Sequence, residues 1–220
     1  MNTTPSQTYS HESNFTLKVM GYLALAFLIA GIGSYLAPLF IPIEFFAGNG
    51  TWAIYIAAMA LAWTSHRWAQ FPRPMNFVVY ALFALVIGVM FYPLLYVSLQ
   101  TGGTEIVAKA FGITGLLSIT AGVYGSTTSK DLSGFRGFFS VAIMGLIIVS
   151  IINAIWYSGI VSLIVSSIGV VVFSGFIAYQ FQMIKNYPAD RAMEAGIGLF
   201  ITLFNLLTSV LQLLMGGGRD

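Results

Sequence analysis

The chain contains no cysteine, which excludes disulfides, thiolate metal sites and cysteine nucleophiles. It is almost as poor in charge. Asp, Glu, Lys and Arg make up 7% of its 220 residues, where a soluble domain carries roughly 25%, so too little charge is present to solvate a globular surface. The net charge of +2, scattered singly along the chain, offers nothing to nucleic acid. The only histidines are His11 and His66, and no Asp falls inside an apolar run. Paired aspartates or a zinc site for hydrolysis within a membrane are therefore missing. The last apolar run has no lysine for a retinal Schiff base. Gly31-Ile-Gly33 lies inside an apolar run and is no phosphate loop. The expectation is a protein without catalysis, cofactor or metal.

What is there is apolar: 58% of the residues are hydrophobic. A bilayer-spanning helix needs about 20 apolar residues. Seven such runs are read at 17–40, 52–69, 76–99, 106–124, 137–156, 160–184 and 195–215. They make one seven-helix, all-α transmembrane domain over 15–220, behind a polar tail at 1–14 expected to be disordered. The first run is too long for a signal-peptide core and has no small-x-small cleavage site, so it stays as a span. Pro72 and Pro74 force a turn between the second and third runs. Gly102-Gly103 marks the turn into the fourth, and Tyr157-Ser158-Gly159 makes a tight hairpin between the fifth and sixth.

Orientation is read from cations in the short loops. Lys18, Arg67, Arg73, Lys130, Arg136, Lys185 and Arg191 share one face if the spans alternate, and only Lys109 and Arg219 lie towards the other. The N-terminus is expected in the cytoplasm and the C-terminus outside. The short tails fit a bacterial inner membrane. Asn49-Gly-Thr51 has the form of a glycosylation acceptor, which matters only in a secretory pathway.

Ionisable groups inside a membrane mark function by default. Lys109 stands about a turn into the fourth run, four residues after Glu105, a spacing that pairs them on one helix face. The expectation is a cation snorkelling to the outer interface. The other polar groups are amides and hydroxyls: Asn153, Gln180, Gln182, Thr202, Asn205 and Gln212. Such groups usually bond across helices. Small residues, Ser118-xxx-Gly122 among them, allow close helix approach. The longest polar interruption is 124–136, Y-G-S-T-T-S-K-D-L-S-G-F-R, an interfacial hairpin in which Asp131 is expected to accept backbone N–H groups ahead of the next helix.

This stretch resembles the transmembrane Bax inhibitor motif (Bax inhibitor-1-like) family, especially its bacterial members. The matching residues are Tyr124, Gly125, Thr127, Thr128, Asp131, Leu132, Ser133, Gly134 and Phe135, with Asn153 in the following span. A second match runs from Val172 to Tyr179 and on to Lys185, and a third covers Gly198-Leu199-Phe200 and Asn205-Leu206. The resemblance implies six helices wrapped around the seventh and a pH-sensitive calcium leak associated with stress protection. Some bacterial members are linked to a membrane protease. The family's pH-sensing aspartates map to Gln180 and Thr202 here, so both carboxylates are absent. Coupled buried carboxylates titrate with a raised apparent pKa, whereas an amide and a hydroxyl do not.

Two functions follow. One is a leak for calcium or other cations without the proton switch, with Gln180, Thr202, Asn205 and Asn153 at the pore. The other is a non-transporting membrane partner that modulates a protease.

Overall fold

The computed structural model describes residues 5–48, 50–184, 187–188 and 190–216, with the side chains of 5–13 and of residue 50 excepted. Lys185, where the second family block ends, and Arg219 and Asn49 lie outside the described residues. The helices are α1 (Pro5–Phe40), α2 (Gly50–Trp63), α3 (Ser65–Trp68), α4 (Met75–Thr127), α5 (Arg136–Ile155), α6 (Gly159–Met183) and α7 (Ala192–Gly216). The expected all-α membrane architecture is present. α1 opens at Pro5, so most of the stretch expected to be a disordered tail continues the first helix. Proline is pre-organised for the first helical position, and the apolar run behind it propagates the helix outward.

The chain gathers into two compact units: Met1–Leu95 with Asn186–Phe200, and Tyr96–Lys185 with Ile201–Asp220. In the first unit, Tyr80 meets Tyr22 edge to face at 5.8 Å and its hydroxyl donates to the Tyr22 carbonyl oxygen. Eight residues further along both helices, Gly88 lies against the backbone of Ala30. α1 and the start of α4 therefore run in the same sense, which requires one return crossing between them. α2 supplies it although it has only 14 residues, about 21 Å. α3 extends it across a break at Thr64. The Thr64 hydroxyl donates to the Ala60 carbonyl at 2.7 Å, and the Trp68 indole N–H reaches back to the Leu61 carbonyl at 2.8 Å. The start of α7 packs here as well. Gly196 faces Tyr22 and Val19, and Phe200 sits edge-on to Phe27 and Phe83.

In the second unit the decisive feature is Gly103. α4 counts 53 residues, roughly 80 Å if straight, against a hydrocarbon layer of about 30 Å. Gly103 breaks it with φ 64° and ψ −161°, a backbone region open essentially to glycine alone. Two spans result, as the Gly102-Gly103 signal implies. α5 and α6 are antiparallel: Phe139 stacks near Phe176 and Tyr179, at 5.5 and 6.0 Å, while Asn153 meets Ser158 at the opposite end. α6 and α7 are also antiparallel. Leu163 lies against Gly216, Ser166 bonds Gln212, and Gly169 faces Ser209.

Among the described residues five helices are long and apolar enough to cross a membrane. Among them α7 has the most buried apolar stretch, 50% against 11% for α5. Accordingly α5 presents its aliphatic side chains outward and α7 keeps Leu206, Leu207, Val210 and Leu211 inside.

A candidate site at the α6–α7 seam and the 124–136 loop

At 100° per residue, α6 presents three stripes. Ser166, Gly169, Phe173, Ile177 and Gln180 share the stripe that the contacts to Ser209 and Gln212 turn towards α7. Gly175, Phe176, Tyr179 and Gln182 face α5 and its leading loop. Ala178 and Phe181 face the end of α4, where Gly125 and Gly122 receive them. The two glutamines, only two residues apart, thus serve different neighbours.

Along the α6–α7 seam each residue gained on one helix is lost on the other, through 163/216, 166/212 and 169/209. That register carries Thr202 to the level of Phe176, with Gln180 about 6 Å further along α6, one turn. Gln180 and Thr202 therefore lie on facing stripes within a turn of each other. Thr202 is buried. The Gln180 side-chain oxygen Oε1 is also buried and has no hydrogen-bond partner, an arrangement that costs about 1–3 kcal/mol for a polar group shut away from water. Asn205, the next polar residue on α7, donates back to its own Ile201 carbonyl at 2.8 Å. At the other end of the seam the Ser166 hydroxyl donates to Gln212 Oε1 at 2.7 Å. Ser209 fits there because Gly169 has no side chain: a Cβ at 169 would stand 2.6 Å from the Ser209 hydroxyl oxygen. Between the two polar ends the seam is closed by Phe173, Ile177 and Leu206, all buried. Among the described residues α6 carries no carboxylate, and α7 carries one, Glu194, in its first turn.

Asn153 does not join this group. It stands 17 residues into α5, about 26 Å along the axis. Its Oδ1 accepts the Ser158 N–H at 2.9 Å and pins the α5–α6 turn. Ser158 in turn caps α6 by accepting from the Val161 N–H. The bond that Asn153 makes is thus at the α5–α6 turn.

The signature stretch is divided between helix and loop. Tyr124, Gly125 and Thr127 form the last turn of α4, and the Thr127 hydroxyl donates to the Val123 carbonyl at 2.7 Å. Gly125 is buried against the Ala178 backbone. Thr128, Asp131 and Gly134 lie in the connection, which ends in a 3-10 turn at Ser133–Phe135. Thr128 accepts the Lys130 N–H. Asp131 accepts the Ser133 N–H at 2.8 Å and the Ser133 hydroxyl at 2.9 Å. These bonds hold its carboxyl below the usual carboxylate range, the backbone N–H contributing most. Asp131 thus accepts a backbone N–H within the connection, two residues on, while the cap position of α5 is Phe135, with no side-chain cap bond.

Gln182 is the residue whose role the sequence conceals. Its Oε1 accepts the Leu132 N–H at 2.7 Å and its Nε2 donates to the Lys130 carbonyl at 2.8 Å. A glutamine near a helix end carries no local signal for this, because both partners lie about 50 residues away.

Two further groups are placed differently from one another. Lys109 pairs with Glu105 at 2.6 Å, and both side chains are exposed, as a snorkelling cation should be. Glu194, which the apolar run left just outside the last span, falls in the first turn of α7 because that helix starts at Ala192. The last helix therefore carries one carboxylate, three residues ahead of the buried Ile197. Glu194 Oε2 is buried without a hydrogen bond, with Arg191 Nη1 at 3.7 Å. Among the described residues no cluster of His, Asp or Glu is large enough to hold a metal ion.

Residues 12–220 match the family described as inhibitor of apoptosis-promoting Bax1. An uncharacterized protein of Rickettsia prowazekii is 32% identical over 218 residues, covering 94% of this chain and 90% of that protein. One from Campylobacter jejuni is 26% identical over 208 residues, covering 93% and 89%. An uncharacterized membrane protein of Vibrio cholerae is 31% identical over 112 residues, about half of each chain. With the family match spanning nearly the whole chain and the helices of a multi-pass membrane protein, this chain belongs to the Bax inhibitor-like transmembrane family.

Proposed function

We propose that this protein passes cations, calcium among them, along the α6–α7 seam of a bacterial inner membrane, and does so without a proton switch. The observation that supports this most is Gln180 Oε1, an amide oxygen buried on the α7-facing stripe with no partner. A buried carbonyl-type oxygen left unbonded is costly and is the kind of hard ligand a dehydrating cation takes up. The positions that the family resemblance assigns to paired aspartates are Gln180 and Thr202. Neither titrates near neutral pH, so the leak is constitutive and no catalytic step is involved. In this reading Arg67, Arg73, Lys130 and Arg136 mark the cytoplasmic side, which puts the N-terminus inside and the C-terminus outside.

Calcium flux into liposomes at about pH 6 and about pH 8 tests it, the two values bracketing where coupled buried carboxylates titrate. Native protein should conduct equally at both, and Gln180→Asp/Thr202→Asp should conduct in a pH-dependent way. Native flux that follows pH steeply, or no flux from either protein, overturns the proposal.

A second reading has a specific observation behind it. Along α6, and along α7 from Thr202 onward, no carboxylate is present among the described residues, and calcium sites usually include one. A membrane protein of this family that binds and modulates a membrane protease would need none. Capture from native membranes should then yield one dominant protease partner, and recovery of the protein alone excludes it.

A further inference from the structure

We propose that the 128–132 loop is a lid and that the Gln182 side chain is its latch. The loop carries its own internal bonds: Lys130 N–H to Thr128, and Ser133 N–H and hydroxyl to Asp131, each spanning two residues. These keep its shape whether or not it touches the rest of the protein. Its long-range hydrogen bonds, among the described residues, come from Gln182 alone. Both ends of one amide are used, and they grip the two backbone groups that flank Asp131. A side-chain amide in this position imitates a peptide group. It recognises the loop backbone and not the loop side chains, so Ser129, Lys130 and Asp131 stay exposed and free to change.

A preformed loop on a single tether opens as a unit when the tether is released. The tether sits on the last turn of α6, so a closed lid adds a hold on that turn beside the packing of Ala178 and Phe181 against Gly125 and Gly122. Gln180 is on the same turn but faces the other way, so an open lid loosens one side of the segment that carries the unpartnered Gln180 oxygen. The latch itself stands on the loop geometry and holds whether or not the seam conducts.

Hydrogen exchange of the reconstituted full chain makes the test direct, because the Leu132 N–H is held by Gln182 Oε1 and exchanges when the latch lets go. The Ser158 N–H, bonded to Asn153 Oδ1 at the far end of α5, serves as the remote control. Gln182→Leu removes both bonds. Gln182→Glu keeps the acceptor for Leu132 N–H and loses the donor to Lys130, with little change of size. Exchange at Leu132 is expected to rise about tenfold in Gln182→Leu, the scale of one or two net hydrogen bonds, and by less in Gln182→Glu, while exchange at Ser158 stays at the native rate. If the leucine variant does not fold, the glutamate variant decides alone. Native exchange at Leu132 in a folded variant overturns the latch, as does an equal rise at Leu132 and Ser158, which would mean general loosening.

Discussion

Gly125 and Ala178 stand backbone to backbone. A Cβ at Gly125 would overlap the Ala178 carbonyl oxygen, and the obstacle is main chain that cannot turn aside. This contact fixes the end of α4 against α6 and gives the glycine of the signature stretch a physical reason. Gly125→Ala should therefore destabilise the protein by roughly 1–3 kcal/mol, the usual cost of overpacking. Gly112→Ala and Gly115→Ala, on the same helix, meet nothing within 4 Å. They should be neutral or slightly stabilising, since alanine is the better helix former by about 1 kcal/mol. Thermal unfolding in detergent compares the three. A Gly125→Ala melting point equal to the other two would remove the close approach.

The Ser166–Gln212 bond should pin the register of α6 against α7. Interhelical bonds of this kind in a membrane average about 0.6 kcal/mol by double-mutant cycle. Ser166→Ala and Gln212→Leu singly, and then together, should give a coupling of that order. Additive losses would show that the two side chains act independently.

Asn153→Ala should cost about 1 kcal/mol through the unmade bond to the Ser158 N–H and leave ion flux unchanged. Flux loss without stability loss would return Asn153 to the conducting path and count against the turn role.

The helices were legible in the sequence because apolar length and punctuation report directly on span number. Gly102-Gly103 split α4 where the chain does break, and Tyr157-Ser158-Gly159 turned where α5 ends. The start of α1 was missed because a polar segment attached to an apolar helix gains helicity from its neighbour, which composition does not record. The start of α7 was missed by three residues for a similar reason, and with it Glu194, since a charge at a helix N-terminus is favoured by the dipole and need not end the helix. At the candidate site the resemblance pointed to Gln180 and Thr202, and the antiparallel register of α6 and α7 places them within a turn. Asn153 is adjacent to them only in the list of polar residues, not in space. Gln182 could not be assigned, because an amide reading backbone groups leaves no complementary residue type elsewhere in the chain.

The Asp131 turn should respond to acid. Its carboxyl is held below the usual carboxylate range, first by the Ser133 N–H and then by the Ser133 hydroxyl. A carboxylate whose pKa is depressed on folding contributes stability that is present above the unfolded pKa and is lost as pH falls through the folded one. The loop should therefore keep its amide protection at Ser133 from neutral pH down to the ordinary carboxylate range and lose it below that. The group is exposed, so the effect is local to the 3-10 turn ahead of α5 and does not extend to the whole fold. Hydrogen exchange of the peptide covering 129–135, corrected for intrinsic rate, follows it. Asp131→Asn keeps one acceptor oxygen and removes the titration, so its exchange should be faster than native at neutral pH and indifferent to acid. A native loop whose protection at Ser133 does not change with pH would mean that the Ser133 N–H is held by something other than the Asp131 carboxylate.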